Sequence, residues 1–112
     1  MIDSYDFGRI VINGRTYTSD VIIFPNRVKD GWWRKEGHKL HVDDIEEAVR
    51  EKPDVLVVGS GYSGLMTIPR ETADYIRSSG IELIAENTRK ATEIYNKLSR
   101  SRRVIAALHL TC

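Results

Sequence analysis

The sequence predicts an α/β fold: a three-layer sandwich with a mixed central sheet and an N-terminal β hairpin region. Three observations predict it. The first third carries short β-favouring runs broken by turn dipeptides, of which Asn13-Gly14 is the clearest. From Asp43 onward, patterns of helical period alternate with short apolar runs at 54–58 and 81–85. Residues 104–110 are apolar at almost every position, which suits a strand covered on both faces in the middle of a sheet.

Local chemistry justifies each element in turn. In R-I-V-I-N-G-R-T-Y, residues 9–17, Asn13-Gly14 supplies the positive φ angles of a two-residue hairpin turn. Val21 to Phe24 is another strand, ended by Pro25-Asn26, and Asp30-Gly31 offers a second turn before Trp32-Trp33. Asp43 is placed to cap a helix with Glu46 three residues on; Ile45, Ala48 and Val49 share one face, and Pro53 stops it. A strand over 54–58 follows. A second helix starts around Pro69, whose fixed φ and missing N–H suit a first turn, and runs to Gly80. After a strand over 81–85, Asn87 or Thr88 caps a third helix in which Ala91, Ile94, Tyr95 and Leu98 keep the i, i+3, i+4, i+7 spacing. The strand over 104–110 comes last.

At 112 residues the chain is expected to be one domain, 1–112, able to bury a core without disulfides or metal. Lys plus Arg (17) nearly cancel Asp plus Glu (16), so no global field draws it to nucleic acid or anionic lipid, and neither is an expected partner. No apolar run approaches the ~18 residues of a membrane helix, and the opening M-I-D-S-Y-D lacks the pattern of a signal peptide. A cytoplasmic protein is expected. The single cysteine, Cys112, cannot bridge internally, so stability cannot rest on disulfides; a monomer is expected, with a dimer possible through oxidised Cys112. Charged residues make up 29% of the chain and glutamine is absent, a direction favoured at high temperature but also reached by chance in a short chain.

The stretch V-L-V-V-G-S-G-Y-S-G, residues 55–64, sets Gly59, Gly61 and Gly64 in the spacing G-x-G-x-x-G after a buried-strand run. Glu86 follows 22 positions after Gly64, about where an acidic residue would meet a ribose hydroxyl. Two features oppose a dinucleotide site. Leu65, Met66, Thr67 and Ile68 displace the helix N-terminus from the glycines, and the chain has too few β-α units for a doubly wound fold. No cofactor is expected. A nucleophile elbow, G-x-S-x-G, fails at Leu65. What remains is a turned loop of Gly59, Ser60, Gly61, Tyr62, Ser63 and Gly64, whose N–H groups and hydroxyls would suit a small anionic ligand. The same glycines also serve simply to turn the chain over the sheet.

His38, His41, Asp43 and Asp44 lie close in sequence, but their spacing fits no helical zinc motif, and helix capping accounts for the two aspartates. No metal is expected. His109 reads as a core histidine bonded to a carbonyl, because no carboxylate is fixed near it by sequence, and no catalytic residue is assigned. The basic run at 97–103 is explained by a helix C-terminus. In a strand, Trp32 and Trp33 would face opposite ways, so one is exposed beside Arg34. Trp32, Trp33, Arg34 and His38 are therefore the expected protein-interaction residues.

The motifs G-W-W-R-K-E-G-H, P-D-V-L-V-V-G-S-G, I-P-R-E and A-T-E-I-Y-N-K-L-S-R-S-R-R-V-I-A-A-L-H-L-T-C together carry a family resemblance. The chain resembles a small α/β family that includes the adipogenesis-associated domain protein of animals and a mitochondrial complex I assembly factor, along with uncharacterised bacterial and archaeal members. The resemblance covers nearly the whole chain and implies a three-layer fold with a mixed central sheet. It admits a last strand, 104–110, that runs against its neighbours. So placed, His109 and Cys112 would lie at the opposite end of the sheet from residues 59–64, and no composite site of the two could exist. The eukaryotic members resemble assembly or regulatory proteins, and the resemblance supplies no catalytic residues for this chain. The opening residues show no match to the mitochondrial targeting extension of the assembly factor, so that specific role is not expected.

The expected function is a non-enzymatic protein-interaction or assembly module, and the alternative is a small anionic-metabolite binder or enzyme using the 59–64 loop. A concave pocket lined by loop N–H groups would mark the alternative, and a flat apolar patch around a tryptophan the first.

Overall fold

The first three strands make a sheet of their own. In the computed structural model, which describes residues 1–112, β1 (Ile2–Asp6), β2 (Arg9–Ile12) and β3 (Arg15–Tyr17) pair antiparallel in that order. Asn13 and Gly14 have φ of 49° and 80°, the left-handed pair that a two-residue turn requires, and Ile12 pairs with Arg15 across them. β1 adds a strand to the expected hairpin. An irregularity between Ile2 and Ser4 breaks its alternation, so that only Ile2 and Tyr5 are buried.

The second sheet has five strands: β4 (Val21–Phe24), β5 (Arg27–Asp30), β6 (Val55–Ser60), β7 (Glu82–Glu86) and β8 (Val104–His109). Their spatial order is β5-β4-β8-β6-β7. β5 folds back on β4 through the Pro25-Asn26 turn and exposes most of its length. β8 lies antiparallel to β4 but parallel to β6, which is itself parallel to β7. The sheet is mixed, as expected, yet its central strand opposes only one of its two neighbours. His109 pairs in register with Ser60, so the end of β8 lies beside the glycine loop. This overturns the separation that a wholly antiparallel last strand would impose.

Three helices cover the sheet: α1 (Val42–Arg50), α2 (Arg70–Ser78) and α3 (Thr88–Leu98). The first begins earlier than Asp43 would place it. His41 is its N-cap residue, and the Asp44 carboxylate accepts from the His41 N–H at 2.8 Å, whereas Asp43 pairs with Lys35 Nζ at 2.6 Å. Pro69 precedes α2, and Asn87 caps α3 by accepting from the Lys90 N–H at 3.0 Å.

Every residue of β8 is buried, and its side chains alternate between two cores. Val104, Ala106 and Leu108 face Ile2, Ile10 and Tyr17 of the hairpin sheet together with Ala91 and Tyr95 of α3. Ile105 and Ala107 face Ile45 and Val49 of α1, Ile76 of α2, and Leu40 and Trp32. One core on each side of the five-stranded sheet makes the three layers. No helix is long and apolar enough to cross a membrane.

Candidate functional site

The ends of β6 and β8 bring four pieces of chain together. The loop after β6 is fastened to the start of α3, where Gly61 N–H donates to Thr88 Oγ1 at 2.8 Å and Thr88 N–H returns a bond to the Gly61 carbonyl at 3.0 Å. Thr88 Oγ1 in turn donates to the His109 carbonyl. The segment after β8 lies across the loop, so that Tyr62 N–H reaches the Thr111 carbonyl and Leu65 N–H the Cys112 carbonyl, both at 3.3 Å. Thr67 N–H donates to the His38 carbonyl at 2.8 Å, which docks the 33–40 segment on the same end.

This packing explains the glycines. A Cβ on Gly59 would stand 2.8 Å from Thr88 Oγ1, and one on Gly61, whose φ is +109°, would stand 2.6 Å from the Thr111 carbonyl oxygen. The absent side chains make room for protein. Four N–H groups of the loop region, those of Gly61, Tyr62, Gly64 and Leu65, are already hydrogen-bonded inside the chain. Ser60 Oγ donates to the Glu86 carbonyl at 3.1 Å, and Ser63 is exposed. A cleft of about 310 Å³ opens elsewhere, between Met1, Ile12, Phe24, Arg27 and Tyr95, and no residue of 59–64 lines it.

Below the loop lies a buried polar centre organised by Asp20. Its Oδ2 accepts from Arg34 Nη1 and from His109 Nδ1, each at 2.8 Å, and its Oδ1 accepts from Leu110 N–H at 2.7 Å. Burial pushes the Asp20 carboxyl up, but the hydrogen bonds from His109, Leu110 and Arg34 outweigh it and hold the group below the usual aspartate value. Asp20 is therefore an acceptor only, and the proton of the short contact belongs to His109 Nδ1. Arg34 Nη2 lies 3.0 Å from the same nitrogen and donates to the Gly37 carbonyl at 3.1 Å. His109 Nε2 is buried and makes no hydrogen bond. The expectation of a carbonyl partner for His109 is corrected: its partner is a carboxylate 89 positions away, beyond the reach of any local pattern.

The histidines and aspartates that are neighbours in sequence separate in space. His41 Nε2 pairs with Glu36 at 2.7 Å, Asp43 with Lys35, and Asp44 caps α1. His38 turns instead toward His109, the two ring centroids lying 6.2 Å apart. One ring nitrogen from each and the Cys112 Sγ fall within 4.8 Å of one another. Sequence reasoning missed this grouping and Asp20 altogether. The one available signal, the H-x-x-C spacing of His109 and Cys112, has no meaning until His38 is known to lie beside it.

The four residues expected at a protein interface divide. Trp32 is 4% exposed, with its Nε1 donating to the Asp44 carbonyl at 2.9 Å, and Arg34 is buried under it at 4.7 Å from ring centre to guanidinium. Trp33, 77% exposed, and His38 face solvent. The two tryptophans do point opposite ways, although neither lies in a strand. Sequence reasoning also missed Phe7, whose ring meets that of Tyr62 edge-on at 5.7 Å, and Leu65, which is exposed three residues after Tyr62 in the same loop segment. Tyr5 stands behind Tyr62 at 6.4 Å between ring centroids. Its hydroxyl donates to the Leu110 carbonyl at 2.8 Å, and burial, offset in part by Arg89, pushes its pKa up to about 12.

Residues 2–109 match the family described as a protein of unknown function (DUF498/DUF598). The chain is similar to a solved conserved hypothetical protein, PH1505, from Pyrococcus horikoshii OT3, with 27% identity and a TM-score of 0.86 over 100% of this chain and 99% of that one. It is similar to a structure named MT938, with 28% identity and a TM-score of 0.83 over 100% and 98% of the two chains. A Mth938-like domain from Bordetella pertussis, solved in solution, shares the fold at 20% identity, with a TM-score of 0.80 over 98% of this chain and 85% of that one.

Proposed function

The chain belongs to the DUF498/DUF598 family of proteins of unknown function, and from that premise we propose that it acts as a non-enzymatic protein-interaction module, docking its partner on the surface made by Phe7, Tyr62 and Leu65. The observation that carries this reading is the Phe7–Tyr62 pair: the two side chains are 59% and 49% exposed, yet their rings hold each other edge-on in solvent. Rings left in water contribute little to folding, whereas aromatic groups of this kind dominate the energetics of protein contacts. The backbone beneath them is fixed by the bonds from Tyr62 to Thr111 and from Leu65 to Cys112, so little order has to be gained on docking. Trp33 is exposed as well, whereas Trp32 and Arg34 are buried inside the fold.

The alternative, a small anionic metabolite at residues 59–64, is less well supported, because the N–H groups of Gly61, Tyr62 and Gly64 already bond inside the chain, to Thr88, Thr111 and Gly61. The near-balance of charge favours a protein partner over nucleic acid, and the cytoplasm is the compartment this reading assumes. A photo-crosslinking residue placed at 7 or at 62 in the native cell tests it, with exposed Glu93 on α3 as the control position. The same product from 7 and 62, absent from 93, is the expected result. Products that are missing, or shared equally by all three positions, overturn it.

A further inference from the structure

We propose that His38, His109 and Cys112 form a binding site for a zinc-class divalent metal ion, with one coordination position left open to solvent. The two ring nitrogens and Sγ already lie within 4.8 Å of one another. Two imidazoles and one thiolate are the donor set that a borderline ion such as zinc prefers, and three protein ligands leave its fourth tetrahedral position for water.

His109 supplies the independent observation. The residue is 5% exposed and its Nε2 is buried without a hydrogen-bond partner, an arrangement that costs stability unless something else takes up the lone pair. In the neutral ring that nitrogen carries the lone pair, since the 2.8 Å contact with the ionised Asp20 carboxylate places the ring proton on Nδ1. A carboxylate that fixes the tautomer and the ring plane of a histidine is the outer partner that metal-bound imidazoles generally have. The Arg34 guanidinium nearby does not set an uncompensated charge against the ion, since Asp20 pairs with it at 2.8 Å.

The closure required is small. Bonds of about 2.0–2.1 Å to nitrogen and about 2.3 Å to sulfur put tetrahedral ligand atoms roughly 3.3–3.7 Å apart. His109 is held in the sheet, but His38 is exposed and Cys112 half-buried, so both side chains have room to swing inward. Their backbones are already fixed, the His38 carbonyl by Thr67 N–H and the Cys112 carbonyl by Leu65 N–H. Binding replaces the S–H bond of Cys112 by a sulfur–metal bond and releases one proton to water.

The test uses the full chain stripped of metal, titrated with zinc alone against a chromophoric chelator, with cobalt as a spectroscopic substitute. The expected result is one ion per chain at micromolar protein, and a thiolate-to-cobalt charge-transfer band that disappears in Cys112→Ser. His38→Ala, at an exposed position, should keep the native unfolding midpoint and yet bind zinc at least ~100-fold more weakly, while Asp20→Asn weakens it ~10–100-fold through His109. Native protein that takes up no zinc, or binding left unchanged by either His38→Ala or Cys112→Ser, overturns the proposal.

Discussion

Asp20 Oδ2 and His109 Nδ1, 2.8 Å apart, join the approach to β4 to the last residue of β8. The same oxygen holds Arg34, whose side chain is almost wholly buried, so removing the carboxylate leaves a cation without its partner. Asp20→Ala is expected to cost about 3–5 kcal/mol in urea unfolding at neutral pH. The folded pKa of Asp20 is lowered, so its contribution is complete above the usual 3.8 and is lost as pH falls through the folded value. Stability of the native protein should accordingly fall more steeply in acid than that of Asp20→Asn. Parallel acid limbs for the two proteins would contradict the assignment.

Tyr5 sets the opposite limb. Its pKa rises from 10.0 to about 12 on folding, so the neutral phenol contributes stability that is complete below 10 and is lost as pH climbs through about 12. The native protein should lose stability across that interval, and Tyr5→Phe, which has no proton to lose, should lose less of it. Unfolding curves collected at several alkaline pH values decide the matter.

Gly61→Ala should loosen the segment after β8. The added Cβ would stand 2.7 Å from the Cys112 carbonyl carbon, at a backbone φ of +109° that alanine rarely adopts. A loss of about 2 kcal/mol or more is expected, with faster amide exchange at Tyr62 and Leu65. Gly14→Ala is the control, since its φ is +80° but no atom lies within 4 Å of the new methyl. It should cost only about 1 kcal/mol. Equal losses would mean that the close passage of Cys112 contributes nothing.

Ala106→Leu places three further carbons in a fully buried position of β8, between Ile23 of β4 and Val57 of β6. Overpacking there should cost ~1–3 kcal/mol. Arg102→Ala removes only an exposed pair with Glu82 and should cost less than ~0.5 kcal/mol. Equal small losses in denaturant unfolding would rule out β8 as a tightly packed centre.

Elements with a strong local signal were legible: the Asn13-Gly14 turn, the Pro69 start of α2, the Asn87 cap and the apolar run of β8. β5 was not, because R-V-K-D is an exposed edge strand with one apolar residue and no alternation to read. The direction of β8 was not legible either, since a buried strand shows the same run of residues whichever way it points. The site depended on that direction. Asp20, His38, His109 and Cys112 come from distant stretches of chain and meet only because β8 runs parallel to β6 and ends beside Ser60. The split between Trp32 and Trp33 was legible as an alternation, but the partner surface was not, because Phe7 reaches Tyr62 across 55 residues of sequence.

Because β8 lies between β4 and β6, those two strands have no direct pairing with each other. On a translating ribosome, the β4–β5 hairpin and the β6–β7 unit both emerge before the strand that must join them. Until then each presents an unpaired hydrogen-bonding edge and part of each core, held apart as separate fragments. Their union waits for the last strand to be inserted between them, a step of high contact order and hence slow. Nascent chains stalled before residue 104 should therefore be the form most exposed to chaperones and to aggregation.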